Sequence, residues 1–171
     1  LRIPENKPCF QSNDIMFAVK YLIDLAQSIK RPIAICIGVS TSQGSHEGLS
    51  FLDTYISQQG RTSNTVILVP AGNEGAYGHH YFGEINSDFS YDEFFLNIGS
   101  SSQGFTMEFW GKPPYLYSID IFTPDNNLLG TIPMTYSNSL SHKFTYENTV
   151  LYASNLVLHT FSGAKLIIFR F

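Results

Sequence analysis

Two nearly continuous apolar runs, residues 33–39 and 65–70, constrain this chain more than any other feature. A strand that is apolar on successive residues needs cover on both faces, the pattern of a parallel sheet within an α/β layer structure. The second run empties at once into Gly72-Asn73-Glu74-Gly75, a turn able to present a polar group at the strand end.

The surrounding sequence supplies the helices such a sheet needs. Over residues 14–30 the apolar positions Ile15, Val19, Leu22, Ala26 and Ile29 recur every three or four residues and predict one buried stripe. Ser12 or Asn13 suits the cap, Lys30 and Arg31 suit the negative end of the dipole, and Pro32 stops the helix. A second helix is expected over 48–59, burying Leu49, Leu52 and Ile56 and ending at Gly60. Strand, helix, strand makes a βαβ unit, and ligands bind at the carboxyl ends of its strands, here 38–40 and 70–75.

Beyond Tyr81 the pattern changes to a two-residue period with no convincing helix. Strands are expected over 94–98, 105–110, 115–122, 128–135, 142–146, 150–153, 156–159 and 165–171. Phe105, Met107 and Phe109 should face the core, with Thr106, Glu108 and Trp110 on the other side. So many short strands, separated by turns rich in Gly, Pro, Asn and Ser, fit a jelly roll or β-sandwich. The fold class read from the sequence is therefore an α/β parallel-sheet portion, 1–85, followed by an all-β portion, 86–171, with the boundary inside 76–92.

Composition excludes some functions. A formal charge of −4 and the lack of any Lys/Arg cluster speak against a nucleic-acid partner. No apolar run approaches a membrane span, and no signal-peptide pattern opens the chain. Cys36, inside the first apolar run, is expected to be a buried thiol, and Cys9 lies in a polar entry segment; two cysteines make no disulfide scaffold. His46, His79 and His80 follow no ligand spacing, so no metal is assigned, and Gly44 to Gly48 lacks the Lys of a phosphate loop. Trp110, Tyr115 and Tyr117 are read as sandwich core or edge rather than as a sugar platform.

Asn73, judged from its own turn, is either a loop residue stabilising its backbone or a donor aimed into a cleft. Glycines on both sides would let a substrate backbone approach closely. The wider pattern resembles subtilisin-like serine peptidases. In that family one strand ends in a Ser-Leu-Gly-like triplet, here Cys36-Ile37-Gly38. After an intervening helix another strand ends in Ala-Ala-Gly-Asn with a following Glu-Gly, here Pro70-Ala71-Gly72-Asn73-Glu74-Gly75. The resemblance implies that Asn73 is the oxyanion-hole donor. It also implies that Cys36, Ile37, Gly38, Pro70, Ala71 and Gly72 wall the primary pocket, with the first strand pairing with substrate backbone.

A narrower resemblance lies in Gly44-Ser45-His46-Glu47-Gly48, Gly78-His79-His80, and the stretch from Phe105 to Gly111, FTMEFWG. These are similar to clostridial Csp-type germination proteases, in which a jelly roll is inserted between the oxyanion Asn and the nucleophilic Ser. The Asp-Thr-Gly, His-Gly-Thr-His and Gly-Thr-Ser-Met-Ala motifs of the catalytic triad are absent. Family order puts the first two before residue 1 and the third after Phe171, and Leu1 and the strand-like end at Phe171 lead us to expect cuts at both ends. This chain alone is therefore expected to turn over no peptide. Its parent is expected to act on peptide or protein substrates, with no required cofactor and structural calcium left open. Its compartment is not fixed by the sequence; the resemblance implies a secreted or spore-associated parent. Two other assignments stay open: a non-catalytic pseudoprotease, and a carbohydrate- or protein-binding β-sandwich on an unrelated α/β domain. Because a subtilase sheet has more parallel strands than the two here, truncation is expected to expose apolar surface through which a homodimer could form.

Overall fold

The computed structural model describes residues 11–86, 91–133, 135, 141–157 and 163–171. The described residues are mixed α/β, with two helices and three small sheets among them. Its described residues gather into two compact units. One comprises residues up to Thr41 and His46–Asn73; the other comprises Ser42–Ser45 and Glu74–Phe171. Cys9 and the entry segment, the turn expected at 137–139, and His159 lie outside the described residues.

In the first unit, helix α1 (Ser12–Ser28) opens from an extended Gln11, whose N–H donates to the Asp14 carboxylate at 3.0 Å. An acid in the first turn also meets the positive end of the helix dipole. The cap therefore lies one residue before the expected Ser12. The helix closes where Lys30 turns left-handed (φ 56°), with the Arg31 N–H donating to Ala26 O at 2.9 Å and the Lys30 N–H to Gln27 O at 3.1 Å. These are the paired bonds of a Schellman motif, formed here with Lys where Gly is usual. Val19, Ile23 and Ala26 are the buried stripe. The expected Leu22 and Ile29 are exposed instead, because α1 carries apolar residues on several faces and only one meets the sheet.

Strand β1 (Ile33–Cys36) pairs in parallel with β2 (Thr65–Leu68), Ile33 against Thr65 through Cys36 against Leu68. Helix α2 (Phe51–Gln59) joins them. It starts later than expected because Ser50 and Asp53 form a capping box, with the Asp53 N–H donating to Ser50 Oγ at 3.1 Å. Leu49 is accordingly outside the helix and exposed, while Leu52 and Ile56 are half-buried. Val19, Ile23 and Ile35 form the core, with Ile15, Ile33, Ile37, Ile67 and Tyr55 of α2 packed on it. Side chains alternate along a strand, so Ala34, Cys36, Val66 and Leu68 point to the opposite face, and all four are exposed. The Cys36 thiol, expected to be buried, is thus solvent-facing because the helices cover only the other side of the sheet.

The second unit is irregular over 91–99, where a strand was expected: the apolar residues Phe94, Phe95, Leu96 and Ile98 find no ladder and are exposed. Strand β3 (Thr106–Gly111) is followed by β4 (Ile119–Phe122), β5 (Leu128–Ile132), β6 (Ser141–Tyr146), β7 (Thr149–Val157) and β8 (Lys165–Arg170). β3, β8, β7 and β6 form one antiparallel sheet in that order, and β4 and β5 form another. The strand expected over 150–153 does not stop there: β7 runs on to Val157, with Ser154 and Asn155 continuing the ladder against Ile168 and Ile167, and residues 158 and 159 of the next expected strand lie outside the described residues. Ile132, Leu151, Ala153, Ile167 and Phe169 are the core, joined by Met107, Phe109, Ile119, Ile121 and Phe144. The two sheets therefore share one apolar interior, and Met107 and Phe109 face it as the alternation predicts. Phe105 stacks on Phe171 at 4.4 Å between ring centres, and the Phe171 N–H donates to Phe105 O.

Candidate functional site

The parallel register brings the carboxyl ends of β1 and β2 to the same side of their sheet. The Ile37 N–H donates to Leu68 O at 2.9 Å, which extends the ladder one step past Cys36. Both chains then leave the sheet, one through Gly38 toward Ser40 and the other through Pro70, Ala71 and Gly72 to Asn73. Gly72 has φ +88°, where L side chains are strained, and a Cβ there would stand 3.8 Å from Ser40 Oγ. The two loops therefore run close enough that a side chain at position 72 would touch Ser40, a neighbour relation that nothing in the local sequence of Ser40 signals.

Each residue singled out from the sequence can be located on this frame. Cys36 is exposed on the uncovered sheet face, while Ile37 turns its side chain into the helix-side core and leaves its backbone at the strand end. Gly38, Pro70, Ala71, Gly72 and Asn73 are all exposed. The Asn73 amide makes no hydrogen bond among the described residues, so its N–H groups are available to an acceptor from outside. An uncharged amide cannot attack or take a proton from a substrate. It can donate a hydrogen bond to an oxygen on which negative charge develops.

In the second unit, directly after Asn73 in the chain, Glu74 pairs with His79 (Nδ1 to Oε2, 2.8 Å), and the His79 ring stacks on Tyr77 at 5.6 Å. The pair lies at the surface within one stretch of loop. No grouping of three His, Cys, Asp or Glu suited to a metal occurs among the described residues, and no helix among them is long and apolar enough to cross a membrane. Two open depressions of about 430 and 500 Å³ lie at the amino ends of β1 and β2, around Lys30, Pro32, Asn64 and Val66. They are at the other end of the strands from Asn73 and contain none of the candidate residues.

No protein-family model matches the sequence, and no curated protein matches it. Among solved structures, the fold superposes on the CspB protease of Clostridium perfringens with a TM-score of 0.77 and 25% sequence identity. The likeness covers 98% of this chain and 35% of that one, so the chain spans about a third of the protein it resembles.

Proposed function

From a chain whose structure resembles part of a Csp-type subtilisin-like protease, we propose that it supplies the oxyanion-hole donor and part of the substrate cleft of a serine endopeptidase acting on proteins or peptides. Asn73 is the donor, Cys36 to Gly38 and Pro70 to Gly72 line the primary pocket, and the free edge of β1 pairs with substrate backbone. Residues 1–85 belong to the peptidase domain, and 86–171 are a jelly-roll-like insertion in it. The observation that supports this reading is the approach of the two loops, near enough that a Cβ on Gly72 would stand 3.8 Å from Ser40 Oγ, at the carboxyl ends of parallel strands and next to Asn73 in the chain.

The chemistry follows from that arrangement. A nucleophile elsewhere in the parent polypeptide adds to the scissile carbonyl, and the carbonyl oxygen takes the negative charge. The Asn73 amide then donates to it more strongly than to the neutral ground state, lowering the barrier without tightening substrate binding. In subtilisin itself, loss of this donor costs about 2.7–4 kcal/mol. Asn73→Ala in the full-length protein should therefore lower kcat about 10²–10³-fold with KM little changed, as steady-state kinetics on a peptide substrate will register. A full-length protein without active-site-directed turnover would instead be a pseudoprotease, and unchanged kcat in an active one would remove Asn73 from the mechanism.

A further inference from the structure

Three polar side chains on neighbouring strands of the β-rich unit point into its apolar interior. His142 on β6 stands opposite Ala153 in the ladder, and Asn155 on β7 stands opposite Ile167. Both partners belong to the core, so His142 and Asn155 face inward with them. Lys165 on β8, two residues from Ile167, shares that face. The His142 ring stacks on Phe144, itself packed on the core, at 6.2 Å between ring centres. Asn155 is 1% exposed, and Lys165 is buried beside it in the sheet.

The three groups are unequally served. Lys165 Nζ donates to Thr135 O, and Asn155 Nδ2 donates to Pro133 O at 3.4 Å. Asn155 Oδ1 and His142 Nε2 are buried and make no hydrogen bond among the described residues. Turning the amide over would not relieve this, because Oδ1 would then confront another acceptor at Pro133 O. Oδ1 is therefore an acceptor fixed in the interior and short of a donor, a rare state because nothing offsets its lost hydration.

The ladder sets how the two unsatisfied atoms stand to each other. His142 pairs with Ala153, two residues from Asn155, so the two side chains are diagonal neighbours on adjacent strands, with backbones about 7–8 Å apart. At that separation one small molecule between the side chains can bond to both. Its chemistry is narrowly defined. A halide or carboxylate would suit the Lys165 ammonium but cannot donate to Oδ1, and a metal cation would suit Oδ1 but meet the ammonium. Water donates to Oδ1 and bonds His142 Nε2 in either tautomer. It can also accept from Lys165, which lies diagonal to Asn155 on the other side and has more N–H groups than Thr135 O uses.

We propose that an ordered water occupies this end of the interior and bridges Asn155 Oδ1 on β7 to His142 Nε2 on β6. The site would join β6, last in the order of its sheet, to β7 through side chains as well as through the ladder. It does not depend on the peptidase reading.

The test is a crystal structure of the full-length protein, which should show a water about 2.7–3.2 Å from both Oδ1 and Nε2. Asn155→Leu removes the acceptor with little change of volume and should lose that water while the register of β6, β7 and β8 is kept. His142→Phe keeps a ring against Phe144 and should lose it too. If Asn155→Leu does not fold, His142→Phe and the wild-type density decide. A bromide soak tests for an anion, and an anomalous peak at the site would overturn the proposal. Oδ1 accepting directly from Lys165 or another protein N–H would overturn it as well. So would a site without density, a water that reaches only one of the two atoms, or one that survives the substitutions.

Discussion

The two units bury their apolar sequence in different ways. In the β-rich unit, strands alternate, and two sheets close on a shared core in which Ile132, Ala153 and Ile167 have no exposed surface. In the α/β unit both faces of the sheet are apolar, yet helices cover only one. On the other face Val66 is 56% and Leu68 52% exposed. The contrast teaches that a doubly apolar strand is a statement about neighbours on both sides, whereas an alternating strand needs only one. Apolar residues on α1 away from the sheet, Phe17 and Tyr21 among them, are exposed as well. The α/β unit therefore displays apolar residues both on the open face of its sheet and on its helix.

The sharpest way to break this contrast is to truncate both kinds of residue. Phe169, 2% exposed, should cost about 3–5 kcal/mol on change to Ala, read from the urea midpoint of the β-unit transition. A cost below about 1 kcal/mol would mean that the shared core is not what holds the two sheets. A smaller effect tests how closely those sheets approach. A Cβ on Gly130 would fall 2.3 Å from Phe144 Cε1, so Gly130→Ala must displace a ring packed on the core and should cost about 1–3 kcal/mol.

Next comes the one buried cation described in the β-rich unit. Lys165 is 8% exposed, donates to Thr135 O, and has no carboxylate partner among the described residues. Burial holds its ammonium below the ordinary 10.5. Between that lowered value and 10.5 the unfolded chain binds more protons than the folded one, so stability rises with pH across this window, and below it the full burial cost applies. Lys165→Met should add about 1 kcal/mol at neutral pH and flatten the rise. The comparison is best made below pH 10, because Tyr81 and Tyr146 act in the opposite sense above it. Their hydroxyls donate to Asp92 and Asp125, which raises both phenols above 10.0, so the unfolded chain ionises first and stability falls. A Lys165→Met variant whose stability runs parallel to wild type as pH rises toward 10 would show that Lys165 is not desolvated. The smallest effect belongs to the open face: Val66→Ala should change stability by no more than about 0.5 kcal/mol. A cost of several times that would mean the face is covered in solution.

Much of the fold was legible because its signals are local. The runs around β1 and β2 are uninterrupted, and the turn from Gly72 to Gly75 is contiguous, so the strand ends and Asn73 could be located from spacing alone. The stripe on α1 was misjudged between Leu22 and Ile23 because both are apolar and only the sheet's position chooses between them. Residues 94–98 have a strand's composition but no partner, and pairing is a tertiary property. The approach of Gly72 to Ser40 and the hydrogen bond from the Gly44 N–H to Glu108 join positions far apart in sequence. A single Glu on the outer face of an alternating strand looks like ordinary solvated surface until the loop that it holds is seen.

We propose that the Asn73 amide receives the charge generated on a substrate carbonyl. A crystal structure of the full-length protein with a peptidyl boronate or aldehyde bound at its nucleophile tests this most directly. Asn73 Nδ2 should then lie about 2.7–3.1 Å from the adduct oxygen, with the inhibitor backbone running along the edge of β1. An adduct oxygen held by other donors, with Asn73 turned away beyond hydrogen-bond reach, or a protein that forms no adduct, would contradict it.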